Sequence, residues 1–490
     1  MSGPTADEYR ALLTGALGEA PDADTRPPDF RTLFTPSSHR LALAPDVTVV
    51  RGARGTGKTS WARALADPRL REVAAAAYMM PRLRDVEVVT GFGRGNDEDQ
   101  AFLDKWAIRE LVDSRESAEE PWSFKDLWSA VVLKALGTPE VQRGSWPERI
   151  RWARENSGVY GAALRRADRE TRERGQTLIV LFDTLDHLHP DRRKAEELLS
   201  ALFEVALELR LTTGALRAKI FVRPDMYDST PRNFTDASKL DANSAELNWS
   251  SENLYGLLFH QLGNHTGAEA EKFRAATGTW RSENGRYIAP VELLADRTRQ
   301  EEVFTSIAGP FMGPDRRRGR TYTWVPNHLQ DGLGRVSPRT WLYTLHKAAE
   351  LTCERHAAHP YPLHYGMIKD SLRDASGVRV DELREDIGWA ALAVGQLRGA
   401  QVPMEPSAVR FVWERKALQT EMRGMLERES KGSGPRDPED PYALLDDLEK
   451  LGVVTRRPKG DPDGAVDLPD IYRLAFDISR RGGVARRPAR

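Results

Sequence analysis

A strand-like run that leads into a glycine-rich turn constrains the fold of this chain more than any other segment. Residues 47–51 read VTVVR, and residues 52–59 read GARGTGKT, which satisfies the spacing G-x-x-x-x-G-K-[ST]. A helix-compatible segment, residues 60–66, follows directly. Strand, glycine-rich turn and helix in this order predict a P-loop, a phosphate-binding element of parallel α/β proteins.

The residues of this turn have predicted roles in holding a nucleotide. Glycines lack a Cβ and can adopt positive φ, so backbone N–H groups can converge on phosphate oxygens. Lys58 is expected to reach the β- and γ-phosphates, and the Thr59 hydroxyl is a predicted ligand of Mg²⁺. The alternative is a glycine-rich turn that holds no nucleotide. The predicted nucleotide-binding residues of the turn are Gly52, Gly55, Thr56, Gly57, Lys58, Thr59 and Ser60.

Length and charge bound the class of protein. A chain of 490 residues is expected to form about three domains. Its 72 Lys and Arg nearly balance its 73 Asp and Glu, so nucleic acid would have to bind a local patch. The first 20 residues lack the pattern of a signal peptide, no apolar run is long enough to span a bilayer, and Cys353 is the single cysteine. We therefore expect a cytoplasmic protein without a membrane partner.

Between residues 41 and 250, apolar runs alternate with helical periodicity, which predicts a parallel α/β sheet. The predicted strands are residues 47–50, 74–79, 177–182, 216–222 and 245–249, and residues 91–95 are interpreted as a mobile loop. Helices are predicted over residues 99–112, 123–136 and 147–172, with their tryptophans in the core. The predicted domains are a lead-in (1–40) that packs on the next domain, a P-loop core (41–250) with a helical insertion at about 82–172, a helical lid (251–375), and a helical and winged-helix-like domain with a basic tail (376–490).

Two predicted strands deliver charged residues to the carboxyl edge of the sheet, where α/β folds place ligands. Asp183 follows five apolar residues and is the predicted Walker B aspartate, the second magnesium residue after Thr59. Asp186 is a candidate to orient or deprotonate the attacking water, or else it caps the following turn. Arg223 ends the next strand and is the candidate γ-phosphate sensor, with a structural pair to Asp225 or Asp228 as the alternative.

With these elements in place, the chain resembles the additional-strand P-loop ATPases, specifically the STAND and KAP-like signalling NTPases near the AAA+ group. The resemblance rests on the P-loop, Asp183, Asp186 and Arg223, and it implies that Arg339, at the start of a lid helix, is a second sensor. It also implies that the P-loop strand lies between the strands carrying Asp183 and Arg223. Thr184 replaces the glutamate that many fast ATPases carry, which favours slow hydrolysis.

The carboxyl-terminal third has its own signals. A helix over residues 442–452 precedes two short strands, residues 453–457 and 465–468, which is typical of a winged helix that binds duplex DNA or protein. Arg480, Arg481, Arg486, Arg487 and Arg490 form a basic tail that contacts nucleic acid or a partner, or is a solvated end. Residues 315–320 (DRRRGR) are a basic loop that meets phosphate or only solvent.

These observations lead to three hypotheses. The first is a Mg²⁺-dependent ATP switch in signalling or defence, with a separate effector partner and nucleotide-dependent self-assembly. The second is a DNA-binding ATPase of the replication-initiator type, because an ATPase followed by a winged helix has that layout. The third is a nucleotide-binding scaffold without turnover.

Overall fold

The computed structural model describes residues 3–18, 28–93, 103–115, 121–428, 434–457 and 464–482. The chain divides into two compact units: Ser37–Asn248, here called the sheet unit, and Met1–Pro36 with Trp249–Arg490, here called the helical unit. The first helix, α1 (Ala6–Leu17), belongs to the helical unit. Gly95 of the predicted mobile loop, most of the hairpin turn, and Arg486, Arg487 and Arg490 of the tail lie outside the described residues.

The sheet unit contains a five-stranded sheet in which every adjacent pair is parallel. The spatial order is β2-β3-β4-β1-β5. The strands are β1 (Val49–Arg51), β2 (Val86–Phe92), β3 (Thr177–Phe182), β4 (Leu216–Val222) and β5 (Ser244–Glu246). The predicted parallel α/β class is therefore confirmed, and β3 and β4 have the predicted bounds.

Helices connect these strands and cover the sheet. They are α2 (Arg40–Leu43), α3 (Lys58–Ala66), α4 (Pro68–Ala77), α5 (Lys105–Ser114), α6 (Phe124–Ala135), α7 (Trp146–Glu155), α8 (Ser157–Glu173), α9 (Arg192–Thr212), α10 (Pro224–Ser229) and α11 (Ser238–Ala242). The insertion helices α5–α8 replace the three predicted helices, and Trp128 of α6 packs edge-on against Phe182 of β3, with ring centroids 5.8 Å apart. Trp106 is 65% exposed, so the prediction that it is a core residue is wrong.

The prediction of a strand over residues 74–79 is also wrong, because most of this segment belongs to helix α4. The Asp67 carboxylate accepts hydrogen bonds from the backbone N–H groups of Arg69 and Leu70, and Pro68 occupies the first turn. A capped start followed by an alanine run favours helix. The second strand is instead β2, at the edge of the sheet.

The helical unit contains α1 and a succession of helices around one core. Its further helices are α12 (Ser251–Asn264), α13 (Ala268–Thr277), α14 (Val291–Ala295), α15 (Arg297–Ala308), α16 (Thr321–Leu329), α17 (Pro338–Arg355), α18 (Tyr365–Asp386), α19 (Gly388–Gly395), α20 (Pro406–Arg415), α21 (Leu418–Arg428), α22 (Pro441–Lys450) and α23 (Asp470–Arg473). Leu12 and Leu13 of α1 are buried in the same core as α12 and α17. Phe34 contacts Trp249 and His260 within the helical unit, whereas residues 37–40 of the predicted lead-in belong to the sheet unit. The expected packing of the lead-in on the P-loop core stays a prediction.

The helical unit also contains three two-stranded sheets. Their strands are β6 (Arg281–Glu283), β7 (Arg286–Ile288), β8 (Gln401–Val402), β9 (Thr455–Arg457), β10 (Ala465–Asp467) and β11 (Ser479–Arg480). Helix α22 precedes the antiparallel pair β9–β10, and Met404 forms an antiparallel bridge to Val466. Helix α19, the short strand β8, helix α20, helix α21 and the unit of α22 with the β9–β10 hairpin thus follow one another along the chain.

Candidate functional site

The glycine-rich turn between β1 and α3 adopts a conformation that requires glycine. Gly55 has φ of 76° and Gly57 has φ of 103°, both in the left-handed region. A Cβ at Gly52 would lie 2.7 Å from Thr56 Oγ1 and 3.2 Å from Leu247 Cδ1, so this position has no room for a side chain. The turn ends at the amino terminus of α3, where backbone N–H groups are available to an anion.

The side chain of Lys58, the first residue of α3, folds back over the glycine-rich turn. Its Nζ donates a hydrogen bond to the Gly52 carbonyl oxygen at 3.0 Å and lies 3.8 Å from Asp186 Oδ2. The side chain is only 10% exposed. Thr56 also stays local, because its hydroxyl donates to the Ala53 carbonyl oxygen at 2.8 Å. The cationic head of Lys58 is therefore held at the mouth of the turn, beside a carboxylate of the loop that follows β3.

Asp183 lies at the carboxyl end of β3 and is buried. Burial raises the pKa of its carboxyl group, whereas hydrogen bonds from the Thr184 backbone and the Thr59 hydroxyl, together with the charge of Lys58, act in the lowering direction. Its Oδ1 atom is buried without a hydrogen-bond partner among the described residues. An uncompensated carboxylate oxygen beside a hydroxyl is a donor set that suits a hard cation such as Mg²⁺.

The remaining ligands of such a cation would have to be phosphate oxygens and water. Within the described part of the chain, no three His, Cys, Asp or Glu side chains converge as a metal-holding group. Mg²⁺ commonly keeps several waters and uses one or two protein oxygens, so Thr59 and Asp183 are sufficient protein donors.

Two glycines, one in β2 and one directly after it, allow close packing against the strand that precedes Asp183. A Cβ at Gly91 would lie 2.7 Å from the Phe182 ring, and a Cβ at Gly93 would lie 3.4 Å from the Asp183 carbonyl oxygen. The Asp183 N–H donates to the Phe92 carbonyl oxygen at 2.9 Å. The interpretation of residues 91–95 as a mobile loop is therefore wrong for Gly91 and Phe92, which are strand residues.

The chain turns sharply directly after Asp183. Thr184 has φ of 57° and ψ of 28°, a left-handed conformation that a β-branched residue rarely adopts and that costs about 1–3 kcal/mol. A 3-10 turn, Leu185–His187, follows and returns Asp186 to the site. Asp186 then lies between two cations, Lys58 at 3.8 Å and Arg223 Nε at 4.0 Å. The strained residue thus places the second carboxylate of the site.

The far end of this loop is fixed to the helical insertion. The buried His189 accepts a hydrogen bond at Nδ1 from the Asp191 N–H at 3.0 Å, and its Nε2 lies 3.0 Å from Asp113 Oδ1 on α5. Lys194 donates to the same Asp113 oxygen at 2.8 Å. The loop that carries Asp186 is therefore anchored at both ends.

Arg223 follows β4 and caps α10, where it forms a two-pronged pair with Asp225. Its Nε and Nη2 donate to the two Asp225 oxygens at 2.9 and 2.6 Å, and the side chain is 13% exposed. The structural pair with Asp225, one of the two alternatives, is thus present, and Asp186 lies on the other side of the guanidinium. The sensing role of Arg223 stays a prediction.

The order of the strands differs from the expectation that came with the resemblance. Strand β4, which carries Arg223, lies between β1 and β3, so the P-loop strand does not lie between the other two. The expectation was wrong because β1 pairs with β4 on one side and with β5 on the other. All three strands remain parallel, so Lys58, Asp183 and Arg223 still meet at one edge of the sheet.

Arg339 belongs to the helical unit, at the amino terminus of α17. Its Nη1 donates to Glu382 Oε1 of α18 at 2.8 Å. Its predicted role as a second sensor stays a prediction. Ser60 lies in the first turn of α3, and nothing in the structure tests its predicted contact with nucleotide.

Sequence reasoning missed two interactions that surround the P-loop. The guanidinium of Arg51, the last residue of β1, lies 5.3 Å from the centre of the Tyr227 ring. The indole N–H of Trp61 in α3 donates to His39 Nδ1 at 2.9 Å, and burial lowers the pKa of His39 to about 3. Arg51 carries the signal that identified Arg223, a charge at the end of an apolar strand. The His39–Trp61 pair carries no such signal.

A buried lysine lies on the central strand β4. Lys219 is fully buried, and its Nζ donates to the carbonyl oxygens of Ala42 and Ala44, both at 2.9 Å. Burial lowers its pKa to about 7, although Asp46 acts in the opposite direction. These two hydrogen bonds therefore connect residues 42–44, which precede the P-loop strand, to the central strand of the sheet.

Comparison with known proteins adds little to this geometry. No protein-family model matches the chain, and a search of curated proteins gives no match. The ORC2 protein of Aeropyrum pernix, in its ADPNP-ADP complexes, is 14% identical over 89% of this chain and 87% of that chain, with a TM-score of 0.37. CDC6P from Pyrobaculum aerophilum is 14% identical over 93% and 96% of the two chains, with a TM-score of 0.31. The sequence identities and TM-scores are too low to support an argument about this chain, although the coverage is high.

In the described residues, no helix combines the length and apolarity that crossing a membrane requires.

The fold is identified from the strand order and the site geometry of this chain, without the comparisons. A parallel sheet with order β2-β3-β4-β1-β5, a glycine-rich turn after β1 and an aspartate after β3 together make this a P-loop NTPase fold, with β4 between the P-loop strand and the strand that precedes Asp183.

Proposed function

We propose that this chain binds ATP with Mg²⁺ at the carboxyl edge of the sheet and hydrolyses it slowly, as a nucleotide-dependent switch. One observation carries the proposal: Lys58, Asp183, Asp186 and Arg223 come from three strands and converge at a single edge beside a glycine-rich turn. Charged groups gathered at that edge are what binding and transfer of a phosphoryl group require.

Each residue has a distinct task in this proposal. The N–H groups of the turn and of the first turn of α3 bind the phosphates, and Lys58 exchanges its contact with the Gly52 carbonyl for phosphate oxygens. Thr59 and Asp183 would hold Mg²⁺, which neutralises charge on the transferring phosphoryl group when bound. Among the described residues, the buried Oδ1 of Asp183 has no hydrogen-bond partner, which supports this assignment.

Asp186 and Arg223 form the part that responds to the γ-phosphate. Asp186 orients the attacking water and accepts its proton, and Arg223 divides its charge between Asp225 and the phosphate. When the γ-phosphate is lost, Arg223 pairs again with its carboxylate partners, and the conformation of the loop at residues 184–191 changes. Because position 184 is Thr and not Glu, no carboxylate directly follows Asp183, which supports slow turnover.

Calorimetry with Lys58→Ala tests the binding site. A charge-assisted contact contributes about 1.5–3 kcal/mol, so the variant should bind ATP at least roughly tenfold more weakly. Lys239→Ala is the control, because Lys239 is an exposed lysine of the same unit, paired with Asp236. Unchanged affinity in Lys58→Ala would exclude the proposed site.

Phosphate release tests turnover. The wild-type protein should release phosphate slowly, and Asp186→Asn should bind ATP but release less phosphate. If the wild type binds ATP and releases no phosphate above background, the chain is the non-hydrolysing scaffold of the third hypothesis.

A second candidate function is that of a DNA-binding ATPase of the replication-initiator type. The winged-helix order of α19, α20, α22 and the β9–β10 hairpin favours it. Electrophoretic shift of a DNA duplex with and without ATP tests it, and no binding even at low salt would reject it. The signalling or defence role and the separate effector stay predictions. Mass measurement with ADP and ATP tests nucleotide-dependent assembly.

A further inference from the structure

The loop between α15 and α16 presents three consecutive arginines to solvent. Arg316, Arg317 and Arg318 form a 3-10 turn, and all three side chains are exposed. Within the described ranges, none of the three has an ion-pair partner, whereas Arg320 next to them pairs with Glu301 at 2.7 Å. Residues 311–320 contain four arginines and one aspartate, a net charge of +3 on a chain whose total is −1.

The backbone of this loop is held in place by its own hydrogen bonds. The N–H of Met312 donates to the Gly319 carbonyl oxygen at 3.0 Å, and the N–H of Arg318 donates to the Asp315 carbonyl oxygen at 3.2 Å. The Asp315 carboxylate accepts from the Arg317 N–H at 2.8 Å. The arginines are therefore carried by an ordered turn, so little backbone entropy is lost when they bind a ligand.

The composition of the loop indicates the kind of partner. No exposed large hydrophobic side chain lies among residues 311–320, all of which are described. Protein interfaces are built around apolar and aromatic anchors, whereas nucleic-acid interfaces are polar and strongly positive. The loop therefore favours a polyanionic partner, the phosphate backbone of a nucleic-acid duplex.

The winged-helix-like region is a poorer place for phosphate contact. The exposed side of α22 carries Asp446 and Glu449, and Arg456 of β9 bonds to both carboxylates. The guanidinium of Arg456 is thus already neutralised, whereas among the described residues no carboxylate forms an ion pair with Arg316, Arg317 or Arg318.

We propose that the Arg316–Arg318 loop of the helical unit is a contact site for the phosphate backbone of a nucleic-acid duplex, independent of base sequence. The contact does not depend on ATP hydrolysis, so failure of the proposed ATPase activity would leave it standing. It also places duplex contact outside the winged-helix-like region.

Fluorescence anisotropy with a labelled DNA duplex of arbitrary sequence tests the proposal. Each phosphate contact contributes about 0.9 to the slope of log K against log salt. Replacing all three arginines by alanine should therefore reduce the slope by about 1.8–2.7 if two or three of them contact phosphates. At three contacts, the affinity lost between about 50 and 200 mM salt should shrink by a factor of about 40.

A control variant with the same change in net charge distinguishes phosphate contact at this loop from an effect of the protein's total charge. Arg193, Arg281 and Arg398 are exposed arginines elsewhere, with side chains 88%, 72% and 62% exposed. The slope of log K against log salt for their triple alanine variant should differ from the wild-type slope by less than about 0.9, the contribution of one phosphate contact. A triple lysine variant of the loop should retain most of the slope, because counterion release depends on charge. Equal melting temperatures of the alanine variant and the wild type would exclude a folding defect as the cause of the reduced slope.

Three outcomes would overturn the proposal. The first is absence of duplex binding by the wild type at low salt. The second is an equal slope change in the loop variant and the control. The third is binding to vesicles of anionic lipid, or loss of ATP hydrolysis in the loop variant, without any change in duplex binding. That result would assign the arginines to a membrane surface or to a neighbouring subunit's nucleotide.

Discussion

Replacing Asp183 by asparagine should make the nucleotide-free protein more stable while it abolishes hydrolysis. Asp183 is buried, its Oδ1 has no partner among the described residues, and burial raises the pKa of its carboxyl group. Wherever this carboxyl group is ionised, the folded protein keeps a negative charge in its interior, and its Oδ1 has no hydrogen-bond partner among the described residues. Asparagine has nearly the same shape and no charge.

The magnitude follows from the cost of a buried polar group without a partner, about 1–3 kcal/mol and more when the group is charged. Asparagine retains part of this cost, because its amide is also polar, so we expect a gain of about 1–2 kcal/mol. A unit of the size of Ser37–Asn248 changes its melting temperature by about 2–4 °C per kcal/mol. The variant should thus melt about 2–8 °C higher in buffer without Mg²⁺ or nucleotide.

The sign of the pH dependence gives a second check. A carboxyl group whose pKa is raised in the folded state destabilises the protein when it ionises, and this cost grows as pH rises from the unfolded to the folded pKa. The difference in melting temperature should therefore be larger at neutral pH than at acidic pH, and it should disappear below the ordinary pKa of a free carboxyl group. With ATP and Mg²⁺ the order should reverse, because ligand binding stabilises the wild type more strongly.

Thermal melts of the wild type and the variant, at several pH values and with and without Mg-ATP, measure all three effects. Asp236→Asn is the matched control: its side chain is 41% exposed and paired with Lys239, and its effect should stay below about 1 kcal/mol. A lower melting temperature for Asp183→Asn without ligand, or a difference that does not change with pH, would refute the reasoning.

Two further predictions concern the sheet. Lys219 has a pKa of about 7 in the folded protein, below its unfolded value, so the unfolded chain binds more protons between these values and stability should rise with pH above about 7, by up to about 1.4 kcal/mol per pH unit. Urea unfolding at several pH values should show this slope in the wild type and not in Lys219→Met. Gly91→Ala should cost about 1–3 kcal/mol, because its Cβ would lie 2.7 Å from the Phe182 ring. Gly158→Ala, in a helix with open space around it, should instead stabilise by about 0.5–1 kcal/mol, and a destabilisation of equal size at both positions would contradict the packing argument.

The local motifs of the site were predictable from sequence because they depend on short-range chemistry. A β-branched run before glycines at fixed spacing predicts a P-loop, and an apolar run that ends in Asp183 or Arg223 predicts a buried strand with a charged tip. The wrong strand at residues 74–79 has a physical reason as well. An alanine-rich run is apolar in either structure, and only the Asp67-Pro68 start distinguishes the helix.

Tertiary features were not accessible in the same way. Strand order depends on which edges pair, and no residue of β4 indicates that it lies between β1 and β3. The left-handed Thr184, the buried Lys219 and the His39–Trp61 bond result from packing between segments that are distant along the chain. Sequence patterns therefore predict which residues end near the site, and the packed chain determines which of them contact each other.

The position of α1 has a consequence for how the protein is made. Tyr9, Leu12 and Leu13 are buried in the core that α17 completes more than 300 residues later, so α1 leaves the ribosome long before its binding surface exists. Chains grow from the amino terminus at about 5–20 residues per second. Along the sequence, the residues of the sheet unit lie between α1 and α17, so this unit can fold first. Meanwhile α1 lacks its packing partner α17 for at least about 15 s. During translation its apolar face is therefore a transient target for chaperones, and slowing synthesis within residues 249–355 should lengthen that exposure.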